Sequence, residues 1–361
     1  MTPVAASPIR GFAPRSRLRR VGFWLVLVAL CDMAASIPAV AADWPQWRGP
    51  NRDNLWSESV APAIMERGAL RIRWQAPVGF GFASPVVVGH RVFVLDLQLV
   101  RSASHERVHC FDVATGRTLW EYAYPVTPPE WAFTPGQETG PNATPVVDGG
   151  RLYTLGWHGH LRCLDAGRGA EVWTRDLARD HPEAELRTTS SPLIEGRLLV
   201  LVIGGKPDAC IVALDKETGR EVWRALGEGA GYSSPVIVMA GGTRQLIVWT
   251  PESVTSLDPA SGALYWRKPT AIPADMVVSS PVAVADRLLV GGIMFRLSAG
   301  KPDATLLWPE DPKPTRRVLR VTSTAHLSGG YLYSARLTGE LVCLEADREL
   351  SGFHGPSLNE R

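Results

Sequence analysis

The residues of this 361-residue sequence that could do chemistry are few, and two histidines come first. His158 and His160 stand two apart in the stretch GWHGHL. Alternate residues of a strand face the same way, so both rings could reach one metal ion. A zinc site needs three or four ligands, and no third ligand lies nearby in the sequence. The pattern therefore favours a polar hairpin tip, and no metal ligand is assigned.

Motifs for covalent and nucleotide chemistry are absent from the sequence. There is no G-x-S-x-G elbow and no dinucleotide fingerprint. Gly204-Gly205-Lys206 lacks both the upstream glycine and the following Ser or Thr of a phosphate-binding loop, so it indicates a turn. No catalytic residue is assigned. The enzyme question stays open, with the balance toward a non-catalytic protein.

Four cysteines follow the first forty residues: Cys110, Cys163, Cys210 and Cys343. Three of them, Cys110, Cys163 and Cys343, occupy equivalent places in an internal repeat. A disulfide needs Cα atoms within about 7 Å, whereas equivalent places in separate repeats lie farther apart. These three are therefore predicted to be small buried hydrophobic residues in strands.

The repeat positions these side chains. An Asp is followed by Gly after four residues and by Trp after eight, as in DVATGRTLW and DKETGREVW. The Asp accepts hydrogen bonds from a turn, the Gly adopts a positive φ, and the Trp resumes burial on the returning strand. The predicted structural repeat residues are Asp112, Gly116, Trp120, Asp165, Gly169, Trp173, Asp215, Gly219, Trp223, Asp258, Gly262 and Trp266.

A second motif, Ser-Ser-Pro or a close variant, opens the first five units and marks the start of a strand, because Pro cannot donate to a sheet ladder. The sixth unit has Thr324-Ala325-His326 in its place. The complete unit of four short strands has the length of one propeller blade, about 45 residues. Six units are visible, at 83–122, 142–177, 189–226, 232–269, 278–309 and 323–353.

The last two units depart from the pattern. The fifth lacks the Asp-to-Trp spacing and ends at Trp308, and the sixth has Glu345, Glu349 and Phe353 at the Asp, Gly and Trp positions. An orphan strand, LRIRWQA at 70–76, precedes the first unit. Either it completes the sixth unit and closes a six-bladed ring, or the sixth unit has its own outer strand and further blades are missing.

The beginning of the chain has the pattern of an export signal. Five arginines between positions 10 and 20 precede an apolar stretch from Val21 to Leu30, and small residues end at Ala41. We expect cleavage before Ala42 and no stable transmembrane segment afterwards, because about 20 apolar residues are needed to span a bilayer. Cys31 keeps a lipoprotein signal open as an alternative to soluble export. The expected location is the periplasm or the extracellular space.

Composition and one long loop bear on partners. With 38 basic and 36 acidic residues, the chain lacks the basic excess that nucleic acid binding requires. The loop 122–140 is rich in Pro and aromatic residues, and long loops on rigid scaffolds often carry function. Trp131 and Phe133 either form an exposed contact patch or cover the end of the propeller.

The Ser-Ser-Pro strands and the Asp-x-x-Thr-Gly-Arg-x-x-Trp turns resemble the pyrroloquinoline-quinone-like (PQQ-like) propeller repeat, and DWPQWRGPNRDN at 43–54 resembles the opening of secreted bacterial proteins of that family. The resemblance implies an all-β propeller, usually of seven or eight blades, so this chain looks shortened. The family that the sequence resembles includes both an outer-membrane assembly scaffold and quinoprotein dehydrogenases. The dehydrogenases have a pair of adjacent cysteines that this sequence lacks, so PQQ and calcium are not expected as cofactors.

The sequence therefore predicts a non-catalytic secreted propeller, of the WD40-like kind with four strands per blade, that binds a protein or carbohydrate partner. A quinone- or metal-dependent oxidoreductase is the alternative. The expected organisation is a signal peptide at 1–41, an N-terminal segment packing on the propeller at 42–69, the propeller at 70–353 and a tail at 354–361.

Overall fold

The computed structural model describes residues 42–56, 72–137, 139–186, 188–270, 277–309, 323–335 and 339–347. The expected signal peptide and tail lie outside these residues, as do Glu349 and Phe353. Within them, the six sequence repeats form six separate antiparallel sheets, five with four strands and the sixth with three. The prediction of an all-β propeller with four-stranded blades is confirmed.

Each blade is an up-and-down sheet whose strands follow one another in chain order. The first three blades contain β1 (Val86–Val88), β2 (Arg91–Gln98), β3 (His105–Asp112) and β4 (Thr118–Pro125); β5 (Val146–Asp148), β6 (Arg151–Leu155), β7 (His160–Asp165) and β8 (Glu171–Asp176); and β9 (Leu193–Glu195), β10 (Leu198–Val202), β11 (Ile211–Asp215) and β12 (Glu221–Ala225).

The last three blades follow the same order. They contain β13 (Val236–Ala240), β14 (Thr243–Trp249), β15 (Ser253–Leu257) and β16 (Leu264–Pro269); β17 (Val282–Val284), β18 (Arg287–Val290), β19 (Ile293–Leu297) and β20 (Ala304–Trp308); and β21 (His326–Ser328), β22 (Tyr331–Ala335) and β23 (Leu341–Glu345). A 3-10 helix, Glu130–Phe133, follows β4, and a single helical turn, α1 (Leu177–Asp180), follows β8. None of the helices among the described residues is long and apolar enough to cross a membrane.

The Ser-Ser-Pro motifs join neighbouring blades. In the first five blades the proline stands one residue before the inner strand. In the second, third and fourth blades, the hydroxyl oxygen of the residue before that proline accepts a hydrogen bond from the preceding blade. The backbone N–H of Ser84 donates to Thr144 Oγ1, that of Thr144 to Ser191 Oγ, and that of Ser191 to Ser234 Oγ, at 2.9–3.0 Å. Between the fifth and sixth blades the Ser280 N–H donates to Thr324 Oγ1 at 3.1 Å. The motif thus links blades through buried and partly buried hydrogen bonds as well as starting strands.

Tryptophans make the second contact between blades. In each of the first three blades, the Trp of the last strand lies against the turn glycine of the next blade. The indole N–H groups of Trp120 and Trp173 also donate to carbonyls in that turn. Trp120 covers Gly169 and donates to the Ala166 carbonyl, while Trp173 covers Gly219. A Cβ built on Gly219 would lie 2.7 Å from the Trp173 ring, so the turn needs glycine both for its φ of +69° and for this close approach.

The orphan segment before the first blade repeats this contact without forming a strand. No strand is assigned in the described part of it, residues 72–76, so the predicted strand is not seen there. Trp74 nevertheless covers Gly116 and donates to the Val113 carbonyl at 2.9 Å. It lies where the terminal Trp of a preceding blade would lie, and the described residues show no pairing between 72–76 and β23.

Candidate functional site

The predicted Asp and Gly residues of the repeat lie at the turns before the last strand of the first four blades, and the predicted Trp residues lie on those strands. The contacts of these residues are structural. Asp112 Oδ1 accepts the backbone N–H groups of Ala114 and Thr115 and the Thr115 hydroxyl, and this hydroxyl holds the pKa of Asp112 below its usual value. Asp215 makes the same contacts with Thr218, which lower its pKa. Hydrogen bonding of a carboxylate by its own turn accounts for both shifts.

No metal centre is formed by the described residues. They contain no group of three or more His, Cys, Asp or Glu side chains that could hold an ion. The His158 and His160 rings are 6.4 Å apart, and His160 packs edge-on against Tyr124 at 5.6 Å. Burial lowers the pKa of His160. These contacts place the two histidines in the packing between the first and second blades.

The cysteines lie as expected with one exception. Cys110, Cys163 and Cys210 are buried and unbridged. Cys343, predicted to be buried like its repeat equivalents, is exposed, so that prediction was wrong. Its strand β23 is the outermost described strand of the last blade, and no further blade among the described residues covers its face.

The centre of the propeller is occupied by the N-terminal segment, residues 42–56. Trp44 exchanges backbone hydrogen bonds with Val87 at 2.7 and 2.9 Å, and the Pro45 carbonyl accepts the Val147 N–H at 2.8 Å. The Trp47 indole donates to Ser280 Oγ at 3.0 Å. The segment therefore bridges the inner strands of the first, second and fifth blades. Trp56, at the end of the described segment, is 60% exposed.

The central residues do not fit a calcium-bound quinone. A cavity of about 670 Å³ is lined by Trp44, Trp47, Arg48 and Asn54 and by the hydroxyl residues that start the inner strands. None of these described lining residues carries a carboxylate, whereas calcium takes six to eight oxygen ligands and prefers carboxylates among them. The Arg48 guanidinium would also repel a divalent cation.

The predicted contact loop lies at the end of the first blade. The strand β4 continues to Pro125, so the loop starts later than expected, and the 3-10 helix then presents Trp131 at 49% exposure. Its ring meets Trp157 edge to face at 5.7 Å. Phe133 lies half-buried beneath the Arg101 guanidinium, 4.8 Å from the ring centre, and Arg101 pairs with Glu130.

Further apolar side chains surround this end of the first blade, and sequence reasoning missed them. Phe80, Phe82 and Val100 are 44%, 68% and 44% exposed. Phe80 bridges to Leu97 at the end of β2, and the Phe82 N–H donates to the Pro141 carbonyl at the end of the loop. We call Phe80, Phe82, Val100, Arg101, Trp131 and Phe133 the aromatic end surface. The alternation VGFGF at 78–82 was the signal that could have found it.

Glycine explains why these phenylalanines point outward. A Cβ on Gly79 would lie 2.3 Å from the Leu97 carbonyl oxygen, so only glycine allows the segment to approach β2 this closely. The Gly79 N–H also donates to the Asp96 carboxylate, which makes further hydrogen bonds with the Arg107 and His109 side chains. Burial alone would raise the pKa of Asp96, but these hydrogen bonds outweigh it and lower the pKa to about 2.

A buried polar network supports the surface from below. Glu106, 2% exposed, accepts the Tyr124 hydroxyl at 2.5 Å and the Trp157 N–H at 2.8 Å. Burial, followed by the Glu106 charge, raises the pKa of Tyr124 well above its usual value. Because Glu106 belongs to the first blade and Trp157 to the second, the network fixes the floor under Trp131 across a blade boundary.

Repeated blades, tryptophans that cover the next turn and hydroxyl-linked inner strands define a β-propeller of PQQ-like repeats. Within this class, the chain belongs to the family whose model is described as outer membrane protein assembly factor BamB. The model matches residues 104–299, more than half of the 361 residues.

Relatives of two kinds share the repeat. The quinoprotein alcohol dehydrogenase PedH of Pseudomonas putida is 31% identical over 158 residues, which are 39% of this chain and 25% of PedH. Outer membrane protein assembly factor BamB of Burkholderia pseudomallei is 23% identical over 231 residues, 60% of this chain and 56% of that protein. The chain thus spans between about a quarter and about half of the length of these relatives.

Solved structures show the same fold. Quinohemoprotein alcohol dehydrogenase from Comamonas testosteroni superposes with a TM-score of 0.54 at 19% identity, over 78% of this chain and 53% of that one. A europium-containing methanol dehydrogenase gives a TM-score of 0.55 at 13% identity, over 82% of this chain and 69% of that one. At these identities the likeness concerns the propeller alone.

Proposed function

We propose that this chain is a non-catalytic propeller scaffold that binds a protein partner through the aromatic end surface. The observation that carries the proposal is the exposure of Trp131, which rests on Trp157 and its buried polar network, together with the exposure of Phe82 at the same end of the blade. Trp and Arg dominate the binding energy of protein interfaces, and apolar groups fixed by a buried network bind without a large ordering cost. The membership of the family described as an outer membrane protein assembly factor favours a protein over a carbohydrate as partner.

Export belongs to the same proposal. Residues 1–41 would direct the chain out of the cytoplasm, and the scaffold would act in the periplasm or outside the cell. The name of the matching family model, which places those proteins in outer membrane assembly, supports this location.

Site-specific photo-cross-linking in the producing cells tests the surface. A cross-linker at position 131, and separately at position 82, is expected to capture one and the same protein. Met239 on the fourth blade is 61% exposed and serves as a matched control position. Replacement of Val100 by Asp should weaken both adducts at least about tenfold, because a charge enters the centre of the contact. Equal capture at position 239, or no capture at 131 and 82, would contradict the proposal.

The quinoprotein alternative rests on the identity to PedH. A dye-linked alcohol oxidation assay with added calcium and PQQ addresses it directly. No turnover above the protein-free reaction is expected, since the lining of the centre lacks carboxylates. Turnover that depends on both additions would favour the dehydrogenase function.

A further inference from the structure

Two arginines of the N-terminal segment are buried at the centre of the propeller. Arg48 and Arg52 are 6% and 5% exposed. Arg48 reaches the Pro281 carbonyl of the fifth blade at 3.5 Å, and Arg52 reaches the Pro192 and Ser191 carbonyls of the third at 2.8 and 3.2 Å. Arg48 also donates to the Asp53 carbonyl at 3.3 Å, and Arg52 to Gln46 Oε1 at 3.2 Å. Each guanidinium is thus held by neutral acceptors.

The charge of this pair is only partly balanced. Neither arginine has a carboxylate within ion-pair distance among the described residues. Asp53 is close enough to act on Arg48, although its carboxylate accepts the Leu55 N–H. Burial and the neighbouring Arg48 lower the pKa of Arg52 to about 9, which still leaves it charged at neutral pH. Arg48, Arg52 and Asp53 together carry one net positive charge.

Both guanidinium groups also retain an unused donor. The Nε atoms of Arg48 and Arg52 are buried without a hydrogen-bond partner in the described part of the chain. Buried donors are nearly always paired in folded proteins, so the two guanidinium groups are incompletely satisfied by the described residues around them.

A cavity adjoins the same two side chains. It has a volume of about 80 Å³ and is lined by Arg48, Arg52, Asn51 and Asp53 and by the inner strands β13, β17 and β21. A water molecule needs about 10–15 Å³, so the cavity holds a group of several atoms. Leu55 and Val284, 54% and 42% exposed, lie at its mouth.

The backbone turn that presents the arginines is itself unusual. Arg48, Arg52 and Asn54 have backbone φ values of +63°, +56° and +66°. This is the left-handed conformation, which residues other than glycine adopt uncommonly. Two hydrogen bonds, from Arg52 N–H to the Gly49 carbonyl and from Asn54 N–H to the Arg48 carbonyl, hold it. Strained backbone of this kind is frequent at ligand sites.

We infer that this cavity binds a small monocarboxylate through Arg48 and Arg52. One net positive charge matches a singly charged anion, and the planar guanidinium groups match the geometry of a carboxylate. The size of the cavity suits an acetate-like acid. The site is independent of the aromatic end surface.

Calorimetric unfolding of the purified protein in sodium acetate, against sodium chloride of equal ionic strength at neutral pH, tests the inference. Acetate is expected to raise the unfolding temperature saturably, by about 2–4 °C at ten times the dissociation constant. Acetate and chloride curves that coincide would overturn the site. A response to inorganic phosphate but not to acetate would overturn the choice of a monocarboxylate.

Variants separate binding from folding. Arg52→Gln removes the charge and should abolish the acetate increment. Val284→Phe changes a residue at the mouth of the cavity, 42% exposed, and should block entry while the protein still folds. Arg244→Gln, an exposed arginine paired with Glu195 elsewhere, should keep the full increment. A full acetate increment in both single variants, Val284→Phe and Arg52→Gln, would contradict the assignment. Loss of the increment in Arg244→Gln would contradict it as well.

Discussion

The first three strands of the third and sixth blades have the same order and hairpin register, but they differ in burial. In β11 of the third blade every residue is buried, whereas β23 of the sixth alternates between exposed and half-buried positions. Both strands have five residues, and Ile211 and Leu341 open them at equivalent places, paired with Val202 and Ala335. Ile211 is fully buried, while Leu341 is 79% exposed.

The comparison shows that burial in this fold comes from the neighbouring blade. The third blade lies between two others. Trp173 of the second blade covers Gly219 of the third, and Trp223 of the third covers Gly262 of the fourth. The sixth receives Trp308, which donates to the Ala346 carbonyl, and its opposite face presents Tyr331, Tyr333 and Leu341 to solvent. As in other repeat proteins, stability is a sum of nearest-neighbour interfaces, and the last described blade has one fewer.

The largest effect on stability is expected from truncating Ile211 in the third blade, in contrast to its equivalent Leu341 in the sixth. Ile211→Ala should lower the free energy of unfolding by about 2–5 kcal/mol, because it leaves a cavity between tightly packed strands. Leu341→Ala should stay within about 0.5 kcal/mol of the unsubstituted protein, because its side chain already meets solvent. Urea unfolding of the two variants measures the contrast. Equal losses would show that something covers β23 in solution.

A smaller effect is expected at the glycines. Gly219→Ala combines a positive φ with a Cβ 2.7 Å from Trp173, and should cost about 2–4 kcal/mol. Gly330, in the turn between β21 and β22, has a φ of +80° with nothing within 4 Å of its Cβ. Gly330→Ala should therefore cost only the backbone strain, about 1 kcal/mol.

Thermal unfolding of the two glycine variants gives the difference directly. A cost at Gly219 no larger than at Gly330 would mean that the indole moves aside freely, and the tryptophan contacts between blades would then be weak. An unexpectedly large cost at Gly330 would indicate a neighbour for the outer blade.

Much of the fold was readable in the sequence, because the spacing within each repeat predicts its local structure. The Asp, Gly and Trp spacing predicts the turns and the blades, and Ser-Ser-Pro or a close variant predicts the start of the first five inner strands. Local spacing carries no information about which blade covers which, so the exposure of Cys343 and the hydroxyl links between blades were missed. The alternating glycines at 79 and 81 hinted at outward aromatic residues, but their meaning depends on the nearby Leu97 carbonyl.

The candidate sites were less accessible to sequence reasoning than the fold. Trp131 and Phe133 stood out because their loop is long, yet Phe82 joins them only through a hydrogen bond to Pro141. Arg48 and Arg52 look like ordinary surface charges in the sequence RGPNR. Their burial follows from a left-handed turn and from carbonyls about 140 and 233 residues away, which no local pattern reveals.

Chemical modification of the native cysteines tests the difference in burial between blades without any substitution, and its effect on the protein is the smallest. Burial raises the pKa of both Cys110 and Cys163 to about 11, so that about one part in a thousand of either thiol is ionised at pH 8. Cys343 occupies the equivalent place in the sixth blade and is exposed. Native alkylation with iodoacetamide at pH 8 should therefore modify Cys343 first, and in denaturant all of these thiols should react. Peptide mass spectrometry reads the order, and protection of native Cys343 would show that the outer face of the sixth blade is covered in solution.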